Sequence, residues 1–134
     1  MPREYKYSDV DIDFNKNEFI GDVAVKKDRN AVRQSVMNII MTRKGEKPFN
    51  RNFGVGLHDL LFENLTLLDV AGLENRIAAQ FDMFEPRAAI ERLEVDMDEI
   101  DSNQVSFTLR YVIFIGSLRD PLRETLRLGL KKVR

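Results

Sequence analysis

The chain of 134 residues has no cysteine, no tryptophan and a single histidine, His58. Without cysteine there is no disulfide, no thiolate metal site and no cysteine nucleophile. One histidine excludes a histidine-rich zinc site and the paired-histidine helix of a metalloprotease. The missing tryptophan leaves no indole to stack on a sugar ring. Long apolar runs are absent too. The longest, Tyr111 to Ile115, falls far short of the roughly 18–20 residues a membrane helix needs. The opening residues, MPREYKYSDVDIDF, hold no apolar signal-peptide core, which predicts a protein kept in a cytoplasm-like compartment or built into something assembled there. Nor does one sign of charge prevail. Lys and Arg total 21 against 22 Asp and Glu, a net charge of −1, whereas binding nucleic acid through its phosphates calls for a basic face.

What is present is a globular composition, 43% hydrophobic and 32% charged. The length predicts one domain, residues 1–134, with an extended N-terminal segment of about 1–27. Charge is blocked along it. Arg29, Arg33, Arg43, Lys44, Lys47 and Arg51 face only Glu46. Glu91 to Asp101 is acidic apart from Arg92, and the stretch from Arg119 to Arg134 is basic apart from Asp120 and Glu124. Such blocks suit a part docked in a fixed orientation among neighbours, or simply solvated faces.

Alternation of Val10, Ile12 and Phe14 with Asp11 and Asp13 predicts a short N-terminal strand. A helix is expected from Asp28, a good N-cap, through Val32, Val36, Ile39 and Ile40, stopping at Gly45 with Arg43 and Lys44 in its last turn. The loop GEKPFNRNFGVG follows. Its Phe49 and Phe53 must bury under the loop or against a partner, and burial under the loop is the commoner outcome. A short helix then covers Leu57 to Glu63, with Leu57, Leu60 and Leu61 on one face. Thr66 and Asp69 read as a capping box that opens a longer helix with the stripe Val70, Leu73, Ile77, Phe81 and Phe84. Gly72 within it suggests a close packing contact, and Pro86 ends it.

The last third is β. Leu93, Val95 and Met97 alternate with acids, DEIDSNQ makes a turn, and Val105, Phe107, Leu109, Tyr111, Ile113 and Ile115 alternate with polar residues, Val112 and Phe114 making the far end apolar on both faces. The two runs form a hairpin. After Pro121, strict alternation of Leu126, Leu128 and Leu130 with Arg127, Gly129 and Lys131 favours a third strand over a helix. The expected fold class is α+β: two main helices and a short one on one face of a small antiparallel sheet.

Catalytic patterns are wanting. Glu63 and Glu85 are the acids nearest apolar residues, but glycoside hydrolysis needs a carboxylate pair around a cleft, and both read as structural. Asp59 adjoins His58 in sequence, and adjacent helix residues do not face each other, so His58 reads as a surface or partner-contact residue. Gly54-Val55-Gly56 lacks the preceding strand and third glycine of a dinucleotide fingerprint. No enzyme, metal or cofactor is expected. Contact surfaces remain. At Glu85-Pro86-Arg87 a proline stiffens a helix-to-strand corner, and Arg87 can offer its fork to a partner carboxylate, or to a local one. An edge strand made of Leu126, Arg127, Leu128, Gly129, Leu130 and Lys131 could template a strand from another chain.

Thr42-Arg43-Lys44-Gly45-Glu46-Lys47-Pro48-Phe49, then Phe53-Gly54, then Leu60-Leu61-Phe62-Glu63-Asn64, then Glu85-Pro86-Arg87, in that order and spacing, resemble the baseplate wedge, or sheath-initiator, family of contractile phage tails. Relatives of that family occur in bacteriocin tails and type VI secretion baseplates. The resemblance extends from about Asp28 to Leu130. It implies a structural protein of the virion tail baseplate, assembled in the host cytoplasm, in a family once suspected in places of lysozyme activity. It implies that Glu85, Pro86 and Arg87 hold the wedge's helical core bundle, and that the C-terminal strand accepts arms of the tail sheath protein by β-augmentation and starts sheath polymerisation. Its implied partners are the sheath, other wedge subunits and the tail tube, with neither nucleic acid nor membrane. About six copies per baseplate would multiply modest contacts through avidity. A tail-associated peptidoglycan hydrolase and a soluble adaptor on the same fold are the competing readings.

Overall fold

The computed structural model describes residues 8–10, 25–27, 29–62, 66–96, 104–114 and 121–131. In chain order the elements are β1 (Ser8–Val10), β2 (Val25–Lys27), α1 (Arg29–Met41), a 3₁₀ helix (Leu57–Phe62), α2 (Leu67–Phe84), β3 (Ala88–Asp96), β4 (Gln104–Ile113) and β5 (Leu122–Lys131). β1 and β2 form an antiparallel ribbon beside α1, and β3, β4 and β5 form an antiparallel sheet in that order. The fold is α+β. Of the expected N-terminal strand, Val10 ends β1. Ile12 and Phe14 lie outside the described residues, as do Asp28, Met97, the turn after it and Ile115.

One core joins both helices to one face of the sheet. α1 contributes Val32, Val36, Ile39 and Ile40; α2 contributes Leu73, Ile77 and Phe81; β4 contributes Val105, Phe107, Leu109, Tyr111 and Ile113. Each of the larger side chains, once removed from water, contributes about 1.5–3 kcal/mol, so this stripe-on-sheet contact holds the fold together. Phe81 and Tyr111 meet edge-to-face at 6.3 Å. On the other face of the sheet Arg92, Arg110, Arg123 and Arg127 are exposed.

α2 opens as expected. The Thr66 hydroxyl accepts from the Asp69 amide at 3.3 Å, and the Thr66 amide donates to the Asp69 carboxylate at 2.8 Å. The Thr66 hydroxyl also donates to the Asp69 carboxylate at 2.6 Å, and that bond, then the one from the Thr66 amide, holds the Asp69 carboxyl below its ordinary range. The helix closes before Pro86, its last carbonyls including Phe81 O, which accepts from the Glu85 amide at 2.8 Å.

Two local expectations, the end of α1 and the contact at Gly72, are corrected, and β3 and β4 add detail the sequence did not show. α1 ends at Met41, not Gly45, so Arg43 and Lys44 lie beyond its last turn. The cause is a loop that returns to cap it: the Val55 and Gly56 amides donate to Ile39 O and Thr42 O at 3.0 and 3.1 Å, satisfying carbonyls a helix end otherwise leaves open. Gly45 does take a positive φ of 82°, within the turn that follows. Gly72 marks no close contact, since a Cβ there would meet nothing within 4 Å. β3 starts at Ala88, and a bulge between Ile90 and Arg92 reverses its phase, turning Ala88 and Ile90 inward before it and Leu93 and Val95 after it. At the far end of β4, Val112 is buried but Phe114 is 48% exposed.

Candidate functional site

Three places carry the residues singled out by the sequence: the loop after α1, the corner after α2 and the outer strand β5.

The loop is a fixed frame. Gly54 has φ 104°, and a Cβ on it would stand 2.4 Å from the Thr42 carbonyl oxygen, so only glycine lets the chain pass over the end of α1. Gln80, buried on α2, accepts from the Gly54 amide at 2.9 Å and donates to Asn52 O at 2.8 Å. The two aromatics separate here. Phe53 is half-buried and meets Phe84 edge-to-face at 5.0 Å, with the Lys47 ammonium 4.0 Å over its ring. Phe49 is not buried under the loop; it is fully exposed. Arg43 lies 3.5 Å from the Asp59 carboxylate, and its amide donates to Glu46 at 2.8 Å. Lys44, Gly45, Pro48 and Phe49 are exposed around them. His58, half-buried, borders an open recess of about 400 Å³ with Met41, Arg43 and Glu46. Its Nδ1 has no hydrogen-bond partner among the described residues. Leu57 is buried; Glu63 lies outside the described residues, as do the side chains of Leu60, Leu61 and Phe62.

At the corner the fork of Arg87 is spent locally. Its Nε and Nη2 donate to the two carboxylate oxygens of Glu85 at 2.5 and 2.6 Å, with Glu85 1% exposed and the Arg87 side chain 28%. Pro86 is exposed between them. The strand start is tied in by the Phe114 amide, which donates to Arg87 O at 2.7 Å.

β5 pairs with β4 from Gln104↔Lys131 to Ile113↔Leu122 and, with β3, is one of the two edge strands of the sheet among the described residues. It is a strand throughout Leu122–Lys131, as the alternation predicts. Leu126 and Leu130 are buried, Leu128 is half-buried, and Arg127, Gly129 and Lys131 are exposed. Glu124 is the group the sequence reading missed: an acid in the inward phase of the strand. Its carboxylate pairs with Arg29 at the head of α1 and tethers β5 to that helix. Burial, and then the charge of Glu124, push the phenol of its cross-strand neighbour Tyr111 up to about 12. The signal was available, because Glu124 falls two residues before Leu126 in the same alternation.

Comparison with known proteins bears on the family and the fold. Residues 26–115 match the family model described as "Baseplate wedge protein gp25". The baseplate wedge protein gp25 of Enterobacteria phage T4 is 38% identical over 95 residues, which cover 68% of this chain and 67% of that protein. Among solved structures, a chain of the anti-feeding prophage baseplate superposes with a TM-score of 0.68 at 24% identity, covering 85% of this chain and 89% of its own. A candidate tail lysozyme from Geobacter sulfurreducens gives 0.60 at 19% identity, covering 77% and 89%. At those identities the two structures share the fold and nothing finer. The family match ends at Ile115, so β5 lies beyond it, whereas the sequence reading carried the resemblance to Leu130. Within the matched span stand both helices, the capping loop, the Glu85–Arg87 corner and the β3–β4 hairpin. The chain therefore belongs to the baseplate wedge gp25 family and is a structural subunit of a tail baseplate.

Proposed function

We propose that this subunit joins the wedge to the first sheath ring, taking a strand of the sheath protein onto β5 and so templating sheath polymerisation. The observation that carries the reading is the position of β5: ten residues paired to β4 on one side, with no other strand beside it among the described residues. An added strand would gain several backbone hydrogen bonds at about 0.5–1.5 kcal/mol net each, and repetition around a ring would multiply them through avidity. Arg127 and Lys131 project from the exposed face of the edge. They discourage chance pairing and favour an acidic arm. Gly129 between them keeps that position free of a side chain.

Glu85, Pro86 and Arg87 are proposed as the contact with the helical core of the wedge. The locked Glu85–Arg87 pair makes the corner rigid and leaves Pro86 as its exposed tip. Both oxygens of the buried carboxylate are engaged by Arg87, a geometry that suits a structural pair better than the proton donor a peptidoglycan hydrolase requires.

Capture of the cognate sheath protein tests the edge. Removing β5 would strip Leu126 and Leu130 from the core, so the variant is Arg127→Glu with Lys131→Glu, which leaves the core intact. Reduced capture with an unchanged melting temperature is expected; full capture would remove β5 from the contact. For the corner, Pro86→Glu should fold normally and enter wedges poorly.

A further inference from the structure

Phe49 gains nothing from the chain that holds it. Its ring is fully exposed and its φ is 65°. The Asn50 amide donates to Lys47 O at 3.3 Å, with Pro48 and Phe49 as the central residues. Proline followed by a positive φ is a type II turn, whose third position favours glycine. A phenylalanine there is strained, and in water its ring recovers none of that cost.

The strain is not the slack of a loose tip. The Gly45 amide donates to Arg51 O at 3.2 Å, and the Phe53 amide to Asn50 O at 3.3 Å. Gln80 and Phe84 fasten the same loop to α2. The loop carries four basic residues, Arg43, Lys44, Lys47 and Arg51, against the single acid Glu46. Arg43 is engaged by Asp59 and Lys47 rests on Phe53, whereas Lys44 and Arg51 are exposed and form no ion pair among the described residues.

From this frame we propose that Phe49 is an anchor that seats in an apolar pocket on a different protein subunit of the wedge, with Lys44 and Arg51 meeting carboxylates on the pocket's rim. Preorganisation is what such an anchor needs: a rigid ring, presented on a fixed turn, loses little freedom on docking. The glycine-favouring position then serves to aim the ring outward. The inference rests on the chain's place in a wedge and adds a contact separate from both the Glu85–Arg87 corner and β5.

The test co-expresses the full chain with its cognate wedge subunits, as wild type, as Phe49→Gly and as Lys44→Glu with Arg51→Glu. Phe49→Gly relieves the turn, so its melting temperature should hold or rise while its affinity for the wedge subunits falls about tenfold or more, the scale of a buried aromatic anchor. The charge-reversed variant should lose affinity at an unchanged melting temperature. Wild-type affinity in Phe49→Gly overturns the anchor and leaves the wedge reading standing. A fall in both affinity and melting temperature overturns it in favour of a structural role. Two controls complete the test on the isolated chain: self-association in sedimentation, or binding of a labelled oligothymidine, abolished in either case by Phe49→Gly, would assign the ring to a second copy or to nucleic acid. If the wild-type chain fails to join the wedge subunits, both readings fall together.

Discussion

At the scale of single residues the most exacting positions are those where one group serves two elements. Gln80 is such a position: it holds both an amide and a carbonyl of the capping loop from α2. Gln80→Leu leaves both unsatisfied and is expected to cost about 2–4 kcal/mol in chemical denaturation. Gly54→Ala should be worse, because its methyl would collide with the Thr42 carbonyl at a φ alanine avoids; soluble yield and a folded circular dichroism spectrum would report it. At the corner, Arg87→Ala takes the guanidinium from a buried carboxylate and is expected to destabilise the monomer by about 2–3 kcal/mol, so reduced assembly of that variant would not isolate a contact. Much of this scale was legible in the sequence. The glycines of Gly54-Val55-Gly56 and the Glu-Pro-Arg corner drew notice from residue type alone. Phe49 did not declare itself, because an aromatic in a loop is turned in or out by one backbone angle, and Pro48-Phe49 does not reveal the sign of φ.

At the scale of elements, periodicity and caps were readable where a segment is bounded by its own residues. α2 starts at Thr66 and stops before Pro86 for reasons held within the segment, and Thr66→Ala is expected to cost about 1 kcal/mol of stability in a thermal melt. α1 was misjudged at its end because its cap comes from residues 55 and 56, which no local pattern ties to Ile39 and Thr42. The same holds for β2, three residues that become a strand through pairing with β1. The bulge in β3 escaped because it changes the phase of alternation without leaving a glycine or proline as a marker. β5 was readable by strict alternation. Its tether through Glu124 to Arg29 was not, since the partners are far apart in sequence.

For the whole molecule, the buried layer between helices and sheet sets how the fold answers pH. Tyr111 is protonated in the native state up to about 12, whereas in the unfolded chain it ionises near 10. The native state thus binds the extra proton between those values, and stability is full below about pH 10 and falls as pH rises toward 12. Melting temperatures from pH 9 to 11.5 should drop for wild type and drop less for Tyr111→Phe. At assembly scale three separate surfaces are proposed on one fold: a loop tip, a corner and a sheet edge. The edge carries the central claim, that β5 receives a strand from the sheath. Hydrogen–deuterium exchange of the chain within its wedge, before and after addition of the cognate sheath protein, reads that contact directly. New protection is expected in Leu122–Lys131, with Ala88–Asp96 unchanged; exchange in β5 that ignores the sheath, or protection that falls on β3 instead, would contradict it.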